Sequence, residues 1–399
     1  MCIEKYKNLP WANNVFKFHN VGQGLFYTGS ILGKGRDDWF NFVFDCGSTK
    51  LKAGSDAVSD YVNNLPIKDE ERYIDMVIIS HLDSDHFNGL VELASKAKIN
   101  KLYLPYLPDD PDFIKLFLLY VIFFEQSDDE EDFDDKRVRY KFMLKLYNVK
   151  IEDDSEFNRI KFPNEVHFEK DKKIEDIYDK NPYWRFELYE SLFDEKIIDS
   201  LKNEVGKSVG DLDGKSLIDF VFDKKNINTI ETAYKNVFHK KKNLTSMILV
   251  HYPVSSELVK SVCYSAIDCK LNLISKCFLE PNDMRYVSVL TGDAEDFEKY
   301  DGFAESVNKK KVFCLQVPHH GSKENWKSLN SKFGMKLDNG IRYVLPFGIG
   351  NSYGHPSIEV LDDLDDKQYD YYFATQYSAF EYKIEVLMPV GLALKNGLL

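Results

Sequence analysis

Apolar and polar positions change rhythm several times along this chain, and each change predicts an element. Val15-Phe16-Lys17-Phe18-His19-Asn20-Val21 alternates, as a strand with one buried face does, and breaks at Gly22 and Gly24. Phe40-Asn41-Phe42-Val43-Phe44-Asp45-Cys46-Gly47 predicts a second strand that ends in a glycine turn. A helix is expected around 55–65, stopped by Pro66. Ile74-Asp75-Met76-Val77-Ile78-Ile79-Ser80 is a nearly continuous apolar run, the pattern of a strand buried on both faces. A helix over 90–98 and a strand over Lys101-Leu102-Tyr103-Leu104-Pro105 follow. Strand, helix and strand in alternation define an α/β class.

From 108 to 240 the rhythm is different. An apolar stretch at 113–124 reads as a buried helix, and Lys- and Glu-rich helical stretches with Tyr and Phe come later. Between them lies the acidic run Asp128-Asp129-Glu130-Glu131-Asp132-Phe133-Asp134-Asp135, read as a solvated loop. The segment is expected to be a mostly helical insertion that divides one domain into 1–107 and 241–399, and to be the place where a protein partner would bind. Strands return afterwards. Thr245–His251 and Tyr286–Asp293 are expected to form a hairpin pair. Val312–Val317 leads into Pro318-His319-His320-Gly321-Ser322, and Arg342–Pro346 into Phe347-Gly348-Ile349-Gly350-Asn351-Ser352-Tyr353-Gly354-His355-Pro356. A helix over 357–364 and a closing strand pair complete the chain.

Composition narrows the function. The 399 residues carry 52 Lys and Arg against 65 Asp and Glu, a net charge of −13. That balance excludes a protein that coats nucleic acid through basic patches. It leaves a nuclease open, because bound cations can supply positive charge at a phosphate. Six cysteines (Cys2, Cys46, Cys263, Cys269, Cys277, Cys314) show no paired CxxC spacing and are expected to be reduced, mostly buried thiols of a cytoplasmic protein. The N-terminal residues lack the apolar core of a signal peptide, and the 113–124 run contains Lys115 and is too short to span a bilayer, so no membrane role is expected. Gly214-Lys215-Ser216 lacks the upstream glycine of a phosphate loop, and no GxSxG elbow is present.

Four polar clusters stand just after expected strands: His81-Leu82-Asp83-Ser84-Asp85-His86, Gly292-Asp293, His319-His320 and His355. In α/β folds, strand ends are where site residues converge. Imidazole and carboxylate together suit zinc or manganese. In a tight loop His81 and Asp83 can point to one divalent metal ion, and Asp85 and His86 to a second, with Asp293 bridging the two. His319 is expected to be a further ligand and His320 an acid or a phosphate contact. His355 is expected to be a ligand or a phosphate contact, and Ser322, Asn351 and Tyr353 are assigned to substrate, although turn chemistry accounts for Asn351 and Tyr353 equally well. Asp45 is expected to accept a hydrogen bond from a ligand histidine.

The ordered set Val21-Gly22-Gln23-Gly24, Asp45-Cys46-Gly47, Ser80-His81-Leu82-Asp83-Ser84-Asp85-His86-Phe87-Asn88-Gly89, Thr291-Gly292-Asp293, His319-His320-Gly321-Ser322 and Asn351-Ser352-Tyr353-Gly354-His355-Pro356 resembles the metallo-β-lactamase superfamily, and within it the soluble hydrolase domain of ComEC-type competence proteins. The resemblance covers about 15–107 and 243–390 and implies an αββα sandwich interrupted by the large, mostly helical insertion. Departures are Asp83 where many members have His, Asn20 and Leu25 where the family has Asp, and Asn88 for a glycine. The superfamily's third histidine of the first metal falls near Asn243, with His239 and His251 on either side, so that metal is either weakly held or completed by His319. The implied activity is a Zn2+- or Mn2+-dependent phosphodiesterase or nuclease, acting on DNA or RNA through a metal-activated hydroxide. Hydrolysis of a nucleotide-sized or cyclic phosphodiester, or of a carboxylic ester, lactam or thioester, is the alternative, and a partner-binding scaffold with a degenerate site is the third.

Overall fold

The computed structural model describes residues 11–32, 39–68, 70–123, 133–150, 160–168, 183–191, 199–200, 203–204, 246–267, 273–279, 284–332 and 335–387. In chain order the elements are β1 (Trp11–Phe18), β2 (Phe26–Leu32), β3 (Trp39–Cys46), α1 (Leu51–Asn64), the two-residue β4 (Ile67–Lys68), β5 (Glu71–Ile78), the single turn α2 (Ser84–Phe87), α3 (Leu90–Lys96) and β6 (Lys98–Leu104). Then come α4 (Pro111–Phe123), α5 (Phe133–Leu146), β7 (Glu165–Phe168), β8 (Trp184–Glu190), β9 (Met247–Pro253), β10 (Val259–Ile267), β11 (Leu273–Phe278) and β12 (Val287–Leu290). The chain closes with α6 (Phe303–Asn308), β13 (Val312–Gln316), α7 (Lys323–Lys327), β14 (Arg342–Pro346), α8 (Ile358–Asp366), β15 (Asp370–Ala374) and β16 (Phe380–Leu387).

The strands form two mixed sheets, so the α/β class stands. One sheet runs β11-β10-β16-β1-β2-β3-β5-β6-β7 with β4 beside β5; the other runs β15-β14-β13-β12-β9-β8. Alternation decides which side chains lie between them. In β3, Phe40, Phe42 and Phe44 face the second sheet, where they meet Phe186, Leu249, Phe313 and Val344, while Val43 faces α1 and α3. The outer face of the first sheet is covered by α1, α3, α4 and α5, and that of the second by α6, α7 and α8. α1 stops where Leu65 turns to extended backbone, and the Arg72 guanidinium takes up the freed carbonyls of Val62, Asn63 and Leu65.

Two runs of parallel strands set up the site. β3, β5 and β6 are parallel, joined through α1 and α3, and β12, β13, β14 and β15 are parallel in the second sheet. Asp45 closes β3, and the other three polar clusters follow β5, β12 and β13, with the His355 loop following β14.

Several expectations are corrected. The described part of 108–240 holds the helices α4 and α5 but also two strands, β7 and β8, and these elements pack into the rest of the chain. α4 and α5 join the first sheet's outer core, β7 pairs with β6, and β8 pairs with β9. Both sheets therefore end on strands from this segment. Asp134 and Asp135 open α5, where acids favour the helix N-terminus, and 128–132 lie outside the described residues. β9 and β12 do pair antiparallel, but β10 and β11 lie between them in the chain, so they are not a hairpin. β15 and β16 are not a closing pair. A turn closed by Thr375 N–H to Ser378 C=O sends β15 to the second sheet and β16 to the first. Cys263 and Cys277 are not reduced thiols: they face each other across β10 and β11 and form a disulfide. Cys46 and Cys314 are buried free thiols, and Cys2 and Cys269 lie outside the described residues. Among the described residues no helix is long and apolar enough to cross a membrane.

His251 belongs to the core between the sheets. Trp184 Nε1 donates to its Nδ1 at 3.2 Å, and its Nε2 meets the Tyr27 hydroxyl at 2.7 Å. With Nδ1 accepting, the neutral ring must carry its proton on Nε2. Burial lowers its pKa from 6.5 to about 3. The unfolded chain therefore binds a proton below pH 6.5 that the native ring refuses. The stability this contributes is complete above pH 6.5 and is lost as pH falls toward 3, at ~1.4 kcal/mol per pH unit. Denaturant titrations at pH 7, 6 and 5 should show a shallower pH slope for His251→Gln than for the unmodified protein. Equal slopes would remove His251 as a source of acid sensitivity.

Candidate metal centre

The loop after β5 is held by a buried acid on the neighbouring strand. Asp45 is fully buried at the end of β3, with φ at +56°. Its Oδ1 accepts the Ser80 backbone N–H at 2.6 Å, and its Oδ2 accepts both the Ser80 hydroxyl at 2.6 Å and His86 Nδ1 at 2.8 Å. The Ser80 oxygen in turn accepts from His81 Nδ1 at 2.9 Å. Both histidines thereby turn their Nε2 lone pairs away from Asp45. Glycines press the next turn into place. Leu25 N–H donates to the Asp85 carbonyl at 3.0 Å, and Gly24 and Gly47 pack against the Asp85 backbone at distances that no Cβ could occupy. Asn88 clamps Ser48 through two hydrogen bonds.

The second sheet supplies the opposite wall. Gln316 is buried at the end of β13, where its Oε1 accepts the N–H groups of Thr291 and Gly292 and fixes the turn before Asp293. His319 and His320 both take left-handed backbone, with φ at +48° and +53°, and His320 Nδ1 donates to the Pro346 carbonyl at 2.7 Å. Left-handed backbone at non-glycine residues is costly. Three of the six such residues among those described (Asp45, His319, His320) stand at this one place.

These walls bring six ligand-type side chains around Asp293. Its Oδ2 lies 3.8 Å from His81 Nε2 and 3.4 Å from His319 Nε2, and His81 Nε2 is 3.7 Å from Asp83 Oδ2. Its Oδ1 lies 3.2 Å from His86 Nε2 and 3.8 Å from His320 Nε2, while Asp85 reaches His320 Nε2 at 3.0 Å and His86 Nε2 at 3.9 Å. His81 and His319 thus lie nearest Oδ2, with Asp83 beside His81, and His86 and His320 lie nearest Oδ1, with Asp85 beside them. The ligand atoms of His81, His86 and Asp293, and those of Asp85, His86 and His320, all fall within 4.8 Å of one another. Most of these separations are too long for hydrogen bonds. They match the edge of a tetrahedron of N and O ligands around zinc, roughly 3.4 Å for bonds of about 2.1 Å.

The polar bookkeeping agrees. Nε2 of His81, His86 and His320 are buried without a hydrogen-bond partner. Three such nitrogens turned toward one place are expensive unless a cation occupies the space. Electrostatics points the same way. Burial lowers the pKa of His86, yet Asp293, Asp85 and Asp45 outweigh it and raise the value well above 6.5. Burial also opposes protonation of His320, and Asp293 and Asp85 again raise its pKa. Burial pushes the Asp85 carboxyl up, but His86 and His320 bring it down to about 2. Burial lowers His319, with Asp293 opposing. Glu295 adds negative charge at the mouth: partial burial and then Asp293 and Asp83 raise its pKa. Carboxylates this dense draw positive charge from whatever source exists.

Each expected site residue can now be placed. His81, Asp83, Asp85, His86, Asp293 and His319 converge, and Asp45 orients His86. His320, expected as an acid or phosphate contact, donates from Nδ1 to Pro346 and turns Nε2 toward Asp85 and Asp293. His355 has its ring 5.2 Å from that of His319, with Nδ1 buried and unpartnered. Burial, then His319 and His320, lower its pKa to about 4, so it is uncharged at neutral pH. Ser322 is not free for substrate: its hydroxyl donates to Asn325, whose amide holds the carbonyls of Asp293 and Ala294. Asn351 is a turn residue, its amide spanning the Gly348 carbonyl and the backbone of His355. Tyr353 is 40% exposed on that same loop. His251 is in the core, and Asn243 and His239 lie outside the described residues; His319 Nε2 lies 3.4 Å from Asp293 Oδ2, the oxygen that His81 Nε2 also approaches. Ser80 opened the first motif without a role of its own, and Gln316 and Asn325 carried no motif. The one signal for Gln316 was an amide inside an apolar run.

A cavity of about 540 Å³ lies elsewhere, over β1–β3 beside α1, lined by Lys17, His19, Asn41, Asp60 and Tyr61 among others and by none of the converging side chains. Chemistry, not volume, marks the site. Compared with protein-family models and with curated proteins, the sequence matches none.

Proposed function

We propose that this protein is a divalent-cation-dependent phosphodiesterase of the metallo-β-lactamase fold, with nucleic acid as the leading substrate. The observation that carries the reading is the pair of donor sets sharing Asp293, one carboxylate oxygen facing each. His81, Asp83 and His319 with Asp293 would hold one ion, and Asp85, His86 and His320 with Asp293 the other. Mixed nitrogen and oxygen donors suit Zn2+ or Mn2+. Two such ions supply acidified water and neutralise charge on phosphoryl oxygens. The chain's own groups do the rest. Asp45, directly and through Ser80, keeps the inner histidine nitrogens protonated and the outer ones free. His355, neutral and half-buried beside His319, offers its ring to a substrate oxygen by hydrogen bonding. The layered arrangement, with helices outside two facing sheets and the site at strand ends, supports the fold assignment; the resemblance to ComEC-type domains favours nucleic acid.

The test is a chelation series with a bis-phosphodiester chromogen and with single- and double-stranded DNA and RNA, alongside a carboxylic ester and a lactam. Chelated protein should be inactive on phosphodiesters and recover with Mn2+ or Zn2+, and Asp85→Ala should not recover. Turnover that survives chelation would sink the reading. Recovery on the ester or lactam alone would move the protein to the other hydrolase class.

A further inference from the structure

Ser80 stands between the buried acid and the first histidine, and its hydroxyl is shared by both. It donates to Asp45 Oδ2 at 2.6 Å and accepts from His81 Nδ1 at 2.9 Å. The same Asp45 oxygen accepts from His86 Nδ1 at 2.8 Å. His86 Nε2 lies 3.2 Å from Asp293 Oδ1 and His81 Nε2 3.8 Å from Asp293 Oδ2, so each histidine approaches a different oxygen of that carboxylate. We propose that Ser80 is a positioning residue that extends Asp45 to His81, so that one buried carboxylate fixes the tautomer of one histidine in each of the two cation positions.

The chemistry requires a hydroxyl at this point. Asp45 reaches His86 directly, and its second oxygen is occupied by the Ser80 backbone N–H. His81 can be served only by a group that donates and accepts at once, which a hydroxyl does. Without it the His81 ring is free to place its proton on Nε2 and point an N–H, not a lone pair, at the cation. His86 would keep its partner. The two positions are therefore unequal toward loss of Ser80, although they share Asp293 and Asp45. The hydroxyl is not needed to hold the loop. Ser80 N–H remains bonded to Asp45 Oδ1, and Ser80 C=O accepts Met247 N–H at 2.8 Å from the second sheet.

This inference rests on the two-cation reading, and the experiment separates their failures. Zn2+ is titrated calorimetrically into metal-free full-length protein, Ser80→Ala and Asp45→Asn. The unmodified protein should bind two ions. Ser80→Ala should weaken one of them about 10- to 100-fold and leave the other within about twofold; Asp45→Asn should weaken both. In the zinc-loaded unmodified protein, nitrogen-15 NMR should show a slowly exchanging His81 Nδ1–H, so the inference can be read even if a variant fails to fold. Equal weakening of both ions by Ser80→Ala, no weakening at all, or a fast-exchanging His81 Nδ1–H overturns the role of Ser80 while leaving the cations in place. No binding by the unmodified protein overturns the cation reading and this inference with it.

Discussion

Asp293→Ala should reduce the bound divalent cations from two per chain to none and bring phosphodiester hydrolysis down to the level of chelated protein. It is the one side chain with an oxygen toward each donor set, so its loss opens both at once. Removing Asp83 strips a ligand from the His81 side alone, and Asp83→Ala should keep one ion. The turn that carries Asp293 does not depend on its carboxylate: Gln316 holds the Thr291 and Gly292 N–H groups, and Asn325 holds the carbonyls of Asp293 and Ala294. The metal-free variant should therefore melt close to the unmodified protein, and the loss should lie in coordination rather than folding. Burial pushes the Asp293 carboxyl up, but His319, His86 and His320 hold it well below the usual range. Without it, His86, His319 and His320 lose one of the acids that raise their pKa and become less basic. Elemental analysis of dialysed protein and a melting curve decide the matter. Two ions per chain in Asp293→Ala would end the shared-carboxylate account.

The parts of this site that were legible in advance are those whose chemistry is local. A nearly continuous apolar strand followed by His81, Asp83, Asp85 and His86 announces both a buried β-strand and a cluster of ligands at its end, because strand and loop are adjacent in the chain. The Thr291-Gly292-Asp293 and His319-His320 turns were readable for the same reason. What escaped depends on distant partners. Ser80 looks like the last residue of a strand until Asp45 and His81 are seen on its two sides. Nothing local reveals that His320 Nδ1 meets the Pro346 carbonyl. Ser322 and Asn351 have polar side chains in the right neighbourhood, but both are consumed by their own loops. The strands β7 and β8 were missed inside a segment rich in Lys and Glu, since each is an edge strand whose burial comes from one neighbour only. Cys263 and Cys277 are 14 residues apart, a spacing with no meaning until β10 and β11 align in register.

Gly47→Ala should destabilise the fold and empty the Asp85–His86–His320 position, although Gly47 touches no cation. A Cβ there would lie 2.3 Å from the Asp85 carbonyl carbon and from the His86 nitrogen, and 2.5 Å from the Asp85 oxygen. These are backbone atoms of the ligand turn, so no side-chain rotation relieves the overlap. The turn is pinned on its far side, since His86 is tied to Asp45 and Leu25 N–H to the Asp85 carbonyl. Reaching ordinary contact needs a displacement of about 1 Å, several times the ~0.2 Å tolerance of a metal–ligand distance. Overpacking of this kind costs about 1–3 kcal/mol. Gly350→Ala is the control. Unlike Gly47 it has left-handed backbone, with φ at +80°, and nothing lies within 4 Å of its would-be Cβ. It should lose only about 1–2 kcal/mol to backbone strain and bind cations normally. Melting curves and zinc titrations on the two variants separate crowding at the site from glycine loss in general. Normal binding by Gly47→Ala would show that the turn yields without disturbing its ligands, and the tight packing of the Val21–Gly24 and Asp45–Gly47 turns would then have no part in shaping the centre.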